Sequence, residues 1–152
     1  MDIIVSLLFA GLVGGAIGGL FHLLQKYTVN KLPHKDRDKE WAYEPEQRRD
    51  FVFLGEQESV FREVVAAVSL VKGAKIKKAD TDNGVLRAKT GINWKTFGDA
   101  IKIKVRPCDH TSVNVQIESK PWVWGTGVDY GKNFDNAETI AAHLMSKFRR
   151  LK

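Results

Sequence analysis

Apolar and polar residues change rhythm three times along this chain. Residues 3–24, IIVSLLFAGLVGGAIGGLFHLL, form one apolar run with no charge, in which only Ser6 and His22 are notably polar. Residues 28–50, TVNKLPHKDRDKEWAYEPEQRRD, mix both signs of charge with two prolines and show no apolar period. From Asp50 onward, helical spacing and strict alternation take turns, as amphipathic helices and half-buried strands require.

Within that last part the elements can be placed. FVFL, residues 51–54, predicts a short strand. Residues 56–72 set Val60, Phe61, Val64, Val65, Val68 and Val71 at helical spacing, and Gly73 stops the helix. Four strands are expected at 74–79, 85–90, 100–106 and 112–119, with turns at Asp82-Asn83-Gly84 and at 107–111. Asp135 reads as the cap of a last helix, with Glu138 in the capping-box position. Ile140, Leu144 and Phe148, supported by Ala141 and Met145, would be its buried stripe. The expected fold class is α+β: one antiparallel sheet of about five strands, in the order β-α-β-β-β-β-α, with both helices on one face. TATA-binding-protein-like and helix-grip domains share that outline, an analogy of architecture that leaves function open.

The apolar run is long enough to span a membrane, which takes about 20 residues in a helix. A cleaved signal peptide would begin with a basic stretch, whereas this chain begins Met1-Asp2 and places Lys26, Lys31, Lys35, Arg37 and Lys39 after the run. The expected organisation is a transmembrane anchor over 1–27, a charged tether over 28–49 and a cytoplasmic domain over 50–152. By the positive-inside rule the N-terminus lies outside and the domain inside, at a bacterial inner membrane or its equivalent. Gly11, Gly15 and Gly19 repeat every four residues, with Gly14 and Gly18 beside them. This is the GxxxG spacing that lets a second transmembrane helix approach closely, from a second copy or from another protein. In the tether, Trp41 and Tyr43 are the large apolar groups, read as docking on the domain, the alternative being a place in the headgroup region.

Charge sharpens the picture. Of the formal net charge of +6, the segment from Gly73 to Arg106 holds the whole excess, with nine basic and three acidic residues. In the strand DAIKIKVRP, residues 99–107, the apolar and basic positions alternate. Applying the period of two to all four strands sends Ala74, Ile76, Leu86, Ala88, Ile101, Ile103, Val105, Val113, Val115 and Ile117 inward. It sends Lys75, Lys77, Arg87, Lys89, Lys102, Lys104 and Arg106 outward, with Asn114, Gln116 and Glu118 on the last strand. Such a face suits an anionic partner, either lipid headgroups or an acidic protein surface. Lysines that only keep an open sheet soluble are the plainer alternative. Nucleic acid fits less well, because these strands carry no stacking aromatics.

Aromatic residues gather instead in the connections. Trp94 and Phe97, together with Trp122, Trp124 and Tyr130, form a possible binding rim, the alternative being a cap over the open end of the core. Cys108, Asp109 and His110 share a turn, where sequence neighbours seldom face one another, so no catalytic residue is assigned. His143 reads as structural. The lone cysteine excludes an internal disulfide, and no metal spacing or phosphate loop occurs, so neither metal nor cofactor is expected.

TGINWKTFGDAIKIKV and DYGKNFDNAETI resemble a pattern in small uncharacterised bacterial domains, in which an FGD-like turn precedes an alternating strand and a D-Y-G-K-N-like motif precedes the last helix. The resemblance covers residues 51–150 and implies the fold outline, with Asp129, Tyr130, Gly131, Lys132 and Asn133 bracing the start of the final helix. The function expected from these readings is a non-enzymatic, single-pass accessory or assembly subunit of a membrane complex. It would dock through its basic sheet on anionic lipid or an acidic subunit. A membrane-tethered module for a small ligand or lipid near Trp122 and Trp124 is the alternative.

Overall fold

The computed structural model describes residues 44–92, 98–122 and 131–152. The anchor, nearly all of the tether, and the glycines at 11, 14, 15, 18 and 19 lie outside the described residues. Among the described residues no helix is long and apolar enough to cross a membrane.

The elements are β1 (Gln47–Leu54), α1 (Gln57–Leu70), β2 (Ala74–Asp80), β3 (Val85–Thr90), β4 (Asp99–Pro107), β5 (Ser112–Pro121) and α2 (Lys132–Lys147). They build one antiparallel sheet in the order β1-β5-β4-β3-β2. The last four strands meander, each paired with the one before it. β1 returns to the far side of β5, with Phe51 opposite Val115.

Alternation decides which face is covered. Leu86, Ala88, Ile101, Ile103, Val105, Val113, Val115 and Ile117 are all buried, joined by Phe51 and Phe53 of β1. Against them α1 lays Val60, Phe61, Val64, Ala67 and Val68, and α2 lays Phe134, Ala137, Ile140, Ala141 and Leu144. Each large aliphatic or aromatic side chain removed from water contributes about 1.5–3 kcal/mol. Both helices therefore cover one side of the sheet, and among the described residues no element covers the other.

Several boundaries differ from the sequence reading. β1 begins at Gln47, inside the segment assigned to the tether, because Arg49 faces the core side and finds a carboxylate there. α2 begins at Lys132, after Gly131, so Asp135 lies in its first turn rather than at its cap. Glu138 reaches across to Arg49, at 2.6 Å, instead of closing a capping box. Met145 is 41% exposed and does not join the buried stripe, while Phe148 packs beside Phe53 from just beyond the helix.

On β2 the alternation itself slips. A bulge between Ile76 and Lys78 sets Lys78 opposite Arg87 and Ala79 opposite Leu86. Ile76, expected inside, is 37% exposed, since β2 is an edge strand at the margin of the helix layer. Lysines and a bulge on an open edge also discourage pairing with other chains. The opposite edge is partly closed by the C-terminal residues: the Val52 and Leu54 amides donate to the Lys152 and Arg149 carbonyls.

The β2–β3 turn depends on one glycine. Gly84 adopts φ +59, and an added Cβ would stand 2.0 Å from the Val105 carbonyl oxygen. The Asp80 carboxylate accepts from the Asn83 amide and side chain, at 3.1 and 3.0 Å.

Candidate functional site

The solvent face of the sheet is ordered in cross-strand rows. One row runs Lys78, Arg87, Lys102, Glu118, Arg48 from β2 to β1. A second runs Lys75, Lys89, Ala100, Lys120. Lys104 stands opposite Gln116 on one further row, and Arg106 opposite Asn114 on the next. All seven cations expected on the outward face share that face, and Lys78 and Lys120 join them.

The face has two halves of different character. On β5 and β1 the charges are mixed: Asp50 accepts hydrogen bonds from Asn114 and Gln116, and Lys120 pairs with Glu118 at 2.8 Å. That ammonium, with Arg48 and Lys102 adding to it, holds the Glu118 carboxyl below the ordinary range. On β2, β3 and β4 positive charge dominates, and Lys78 is paired with Asp80 at 3.0 Å. Among the described residues Lys75, Lys77, Arg87, Lys89, Lys102 and Lys104 have no carboxylate within ion-pair distance.

A concavity of about 530 Å³ opens in the cationic half. Its floor includes Ala100, a small residue at an outward position between Lys89 and Lys120. Lys77, Lys78, Arg87 and Lys102 contribute to its walls, and Trp122 closes one side. The bulge explains why two consecutive lysines line the same hollow, since it breaks the rule that neighbours point to opposite faces.

Trp122 is set in place by backbone. Its amide donates to the Gly98 carbonyl at 2.8 Å, and Gly98 adopts φ +96, where a side chain would be strained. The Lys89 ammonium stands 3.0 Å from the centre of the Trp122 ring, a cation–π contact, and the tryptophan is 57% exposed. Trp122 thus lies on the basic face rather than capping the core. Trp94, Phe97, Trp124 and Tyr130 lie outside the described residues.

Behind the concavity, on the helix side, a buried polar cluster fixes the sheet to the start of α2. Thr90 Oγ1 donates to Asp99 Oδ2 at 2.9 Å and accepts from the Asp99 amide at 2.8 Å. Asn136 Nδ2 donates to the same Asp99 oxygen at 3.0 Å, and Ser119 Oγ donates to Asn133 Oδ1 at 2.6 Å. The Lys132 ammonium donates to Asn136 Oδ1. Lys132 and Asn133 thus take part in contacts at the first turn of α2, and Asp129 and Tyr130 lie outside the described residues.

The remaining candidate residues lie in the β4–β5 turn and on α2. Asp109 accepts from Ser112 Oγ, the Thr111 amide and Thr111 Oγ1, at 2.7, 2.8 and 3.0 Å, which lowers its carboxyl to about 2. Cys108 and His110 flank it, both exposed. His143 meets Glu63 at 2.8 Å and links α2 to α1. Among the described residues no group of three or more His, Cys, Asp or Glu side chains could hold a metal ion.

Sequence reasoning missed Lys78, Lys120 and Ala100. The first was hidden by the bulge. The other two were legible in principle: Ala100 is the one small outward residue in an otherwise basic strand, and Lys120 continues the alternation of β5 by one step.

No family model matches the chain, and no curated protein does. Among solved structures, the crystal structure of TTHA0849 from Thermus thermophilus matches with 10% identity and a TM-score of 0.39. The match covers 67% of this chain and 98% of that one, a level of likeness that carries no inference about function.

Proposed function

We propose that this protein is a single-pass membrane accessory subunit whose domain docks its helix-free, basic sheet face on anionic lipid. One observation carries the reading: the cations of β2, β3 and β4 share a single face, and among the described residues no helix lies across it. Lipid is preferred to an acidic protein because of where the chain enters. β1 begins at the sheet end where β3 and β5 finish and β4 starts. That same end carries Lys75, Lys89, Lys120 and Trp122, so the basic hollow lies toward the end at which an anchor and tether would join the domain.

The magnitudes are adequate. Each Lys or Arg close to an anionic leaflet contributes about 1 kcal/mol, screened beyond roughly 8 Å at physiological salt. A few such contacts are enough once an anchor has already confined the domain to the surface. The glycines at 11, 15 and 19, with 14 and 18 beside them, are proposed to pack the anchor against a partner helix in the complex.

The test uses the full chain in nanodiscs. The acylation rates of Lys75, Lys89, Lys102 and Lys104 are compared between phosphatidylcholine discs and discs containing phosphatidylglycerol. Slower acylation in the anionic discs, reversed by high salt, supports docking on lipid. Equal rates in both discs, with protection appearing only when a co-purifying acidic subunit is present, assign the face to protein instead.

A further inference from the structure

We infer that the hollow above Ala100 is a binding site for a phosphomonoester dianion, such as the terminal phosphate of a lipid headgroup. The inference rests on the docking reading for its lipid source, but the site is defined by its own geometry. Four of the cations at the hollow, Lys77, Arg87, Lys89 and Lys102, have no carboxylate within ion-pair distance among the described residues. The other two, Lys78 and Lys120, are paired with Asp80 and with Glu118, whose carboxylate itself lines the hollow, so six cations face one lining anion. Like charges on neighbouring strands repel, and a concentration this dense around one small cavity is relieved best by a group carrying more than one negative charge. A phosphomonoester bears about −1.5 to −2 at pH 7 and offers three acceptor oxygens, whereas a phosphodiester bears a single charge.

Shape points the same way. Ala100 leaves an opening between Lys89 and Lys120 that any longer side chain would fill, and the β2 bulge turns Lys77 and Lys78 toward the same opening. Trp122 forms an apolar wall at the rim, exposed on one side and held on the other by Lys89. A headgroup phosphate can enter the hollow while its glycerol backbone lies against the indole. Because the second ionisation of a phosphomonoester lies near pH 6, occupancy falls as pH drops below that value.

The test compares three preparations of the full chain: phosphatidylcholine nanodiscs containing phosphatidate, others containing phosphatidylglycerol at matched surface charge, and phosphatidylcholine discs with soluble glycerol phosphate. Acylation of Lys89 and Lys102 is read against that of Lys147, a control on α2. The site predicts roughly five-fold stronger protection by phosphatidate than by phosphatidylglycerol, the effect of about one additional Lys or Arg engaged by the headgroup. Ala100→Leu should abolish that difference while leaving the protection common to both anionic discs. Equal protection in both, unaltered by Ala100→Leu, overturns the site and leaves general docking intact. If neither anionic disc protects, the docking reading has failed. The pocket is then judged by glycerol phosphate alone: protection of Lys89 and Lys102 that Ala100→Leu removes supports it with a soluble ligand, and no protection overturns it.

Discussion

Three donors converge on the Asp109 carboxylate, and they explain the shape of the β4–β5 turn. The carboxyl falls from 3.8 to about 2 because it accepts from Ser112 and from both the amide and hydroxyl of Thr111. A folded-state value below the unfolded one means that the turn is stabilised above pH 4 and loses that contribution as pH falls from about 4 through 2. Carboxyl chemical shifts followed through an acid titration should place this midpoint near 2, and Asp109→Asn should remove the transition. A midpoint at an ordinary value near 4 would contradict the hydrogen-bonding scheme.

Gly84 is the other residue on which a turn depends. Gly84→Ala forces a Cβ toward the Val105 carbonyl while demanding a positive φ, so it should destabilise by roughly 1–3 kcal/mol or more in denaturant unfolding. This much was visible in the chain, since Asp-Asn-Gly between two alternating runs specifies a hairpin. The role of Asp109 was not, because the residue types of a turn do not say which donors its carboxylate will accept from until those donors are located.

Among the elements, α2 and β1 are joined by a pair the sequence placed elsewhere. Arg49 points to the helix side and meets Glu138 at 2.6 Å, with the two side chains 14% and 20% exposed, and its guanidinium lies 5.7 Å from the Phe134 ring centre. Removing one partner of a fully buried pair costs about 3–5 kcal/mol. Partial exposure reduces that, and Glu138→Ala should cost roughly 1–3 kcal/mol, with Arg49→Met alone costing a similar amount. The double variant should recover part of the loss, read as a coupling energy in a double-mutant cycle.

The sequence showed the elements well wherever a period was sustained over a whole strand or helix. It failed where long-range contacts outweighed local pattern. Arg49 reads as tether until a carboxylate from α2 is brought opposite it, and Asp135 reads as a cap until the Asn133 and Asn136 contacts draw the helix start back to Lys132. The slip on β2 has the same character: Lys77-Lys78 looks like surplus charge, and only pairing with β3 reveals a bulge that turns both toward one hollow.

For the molecule as a whole, the separation of faces is the central fact. Helices, core and the Asp99–Asn136 cluster occupy one side, and the cations of β2, β3 and β4 occupy the other. Apart from Lys78, Lys120 and Ala100, the outward set was legible in advance from alternation, because register moves side chains between faces in steps of one residue. Alternation also put the uncharged and acidic residues Asn114, Gln116 and Glu118 outward on the last strand, but it could not show that Glu118 and Asp50 pair with their neighbours there. Nor could it show that the remaining charge surrounds a hollow with a tryptophan at its rim. A charge-reversed chain carrying Lys75→Glu, Lys89→Glu, Lys102→Glu and Lys104→Glu should keep its fold, since all four are outside the core, while losing contact with anionic lipid.

The most direct measurement is the depth of each face relative to the bilayer in the intact, reconstituted chain. With Cys108 replaced by serine, single nitroxides at residue 87 on the open sheet face and at residue 62 on α1 would report relaxation by gadolinium-chelating lipids in phosphatidylglycerol-containing nanodiscs. The account predicts strong relaxation at residue 87, weak relaxation at residue 62, and loss of the difference at high salt. Equal relaxation at both positions, or a stronger effect at residue 62, would contradict it.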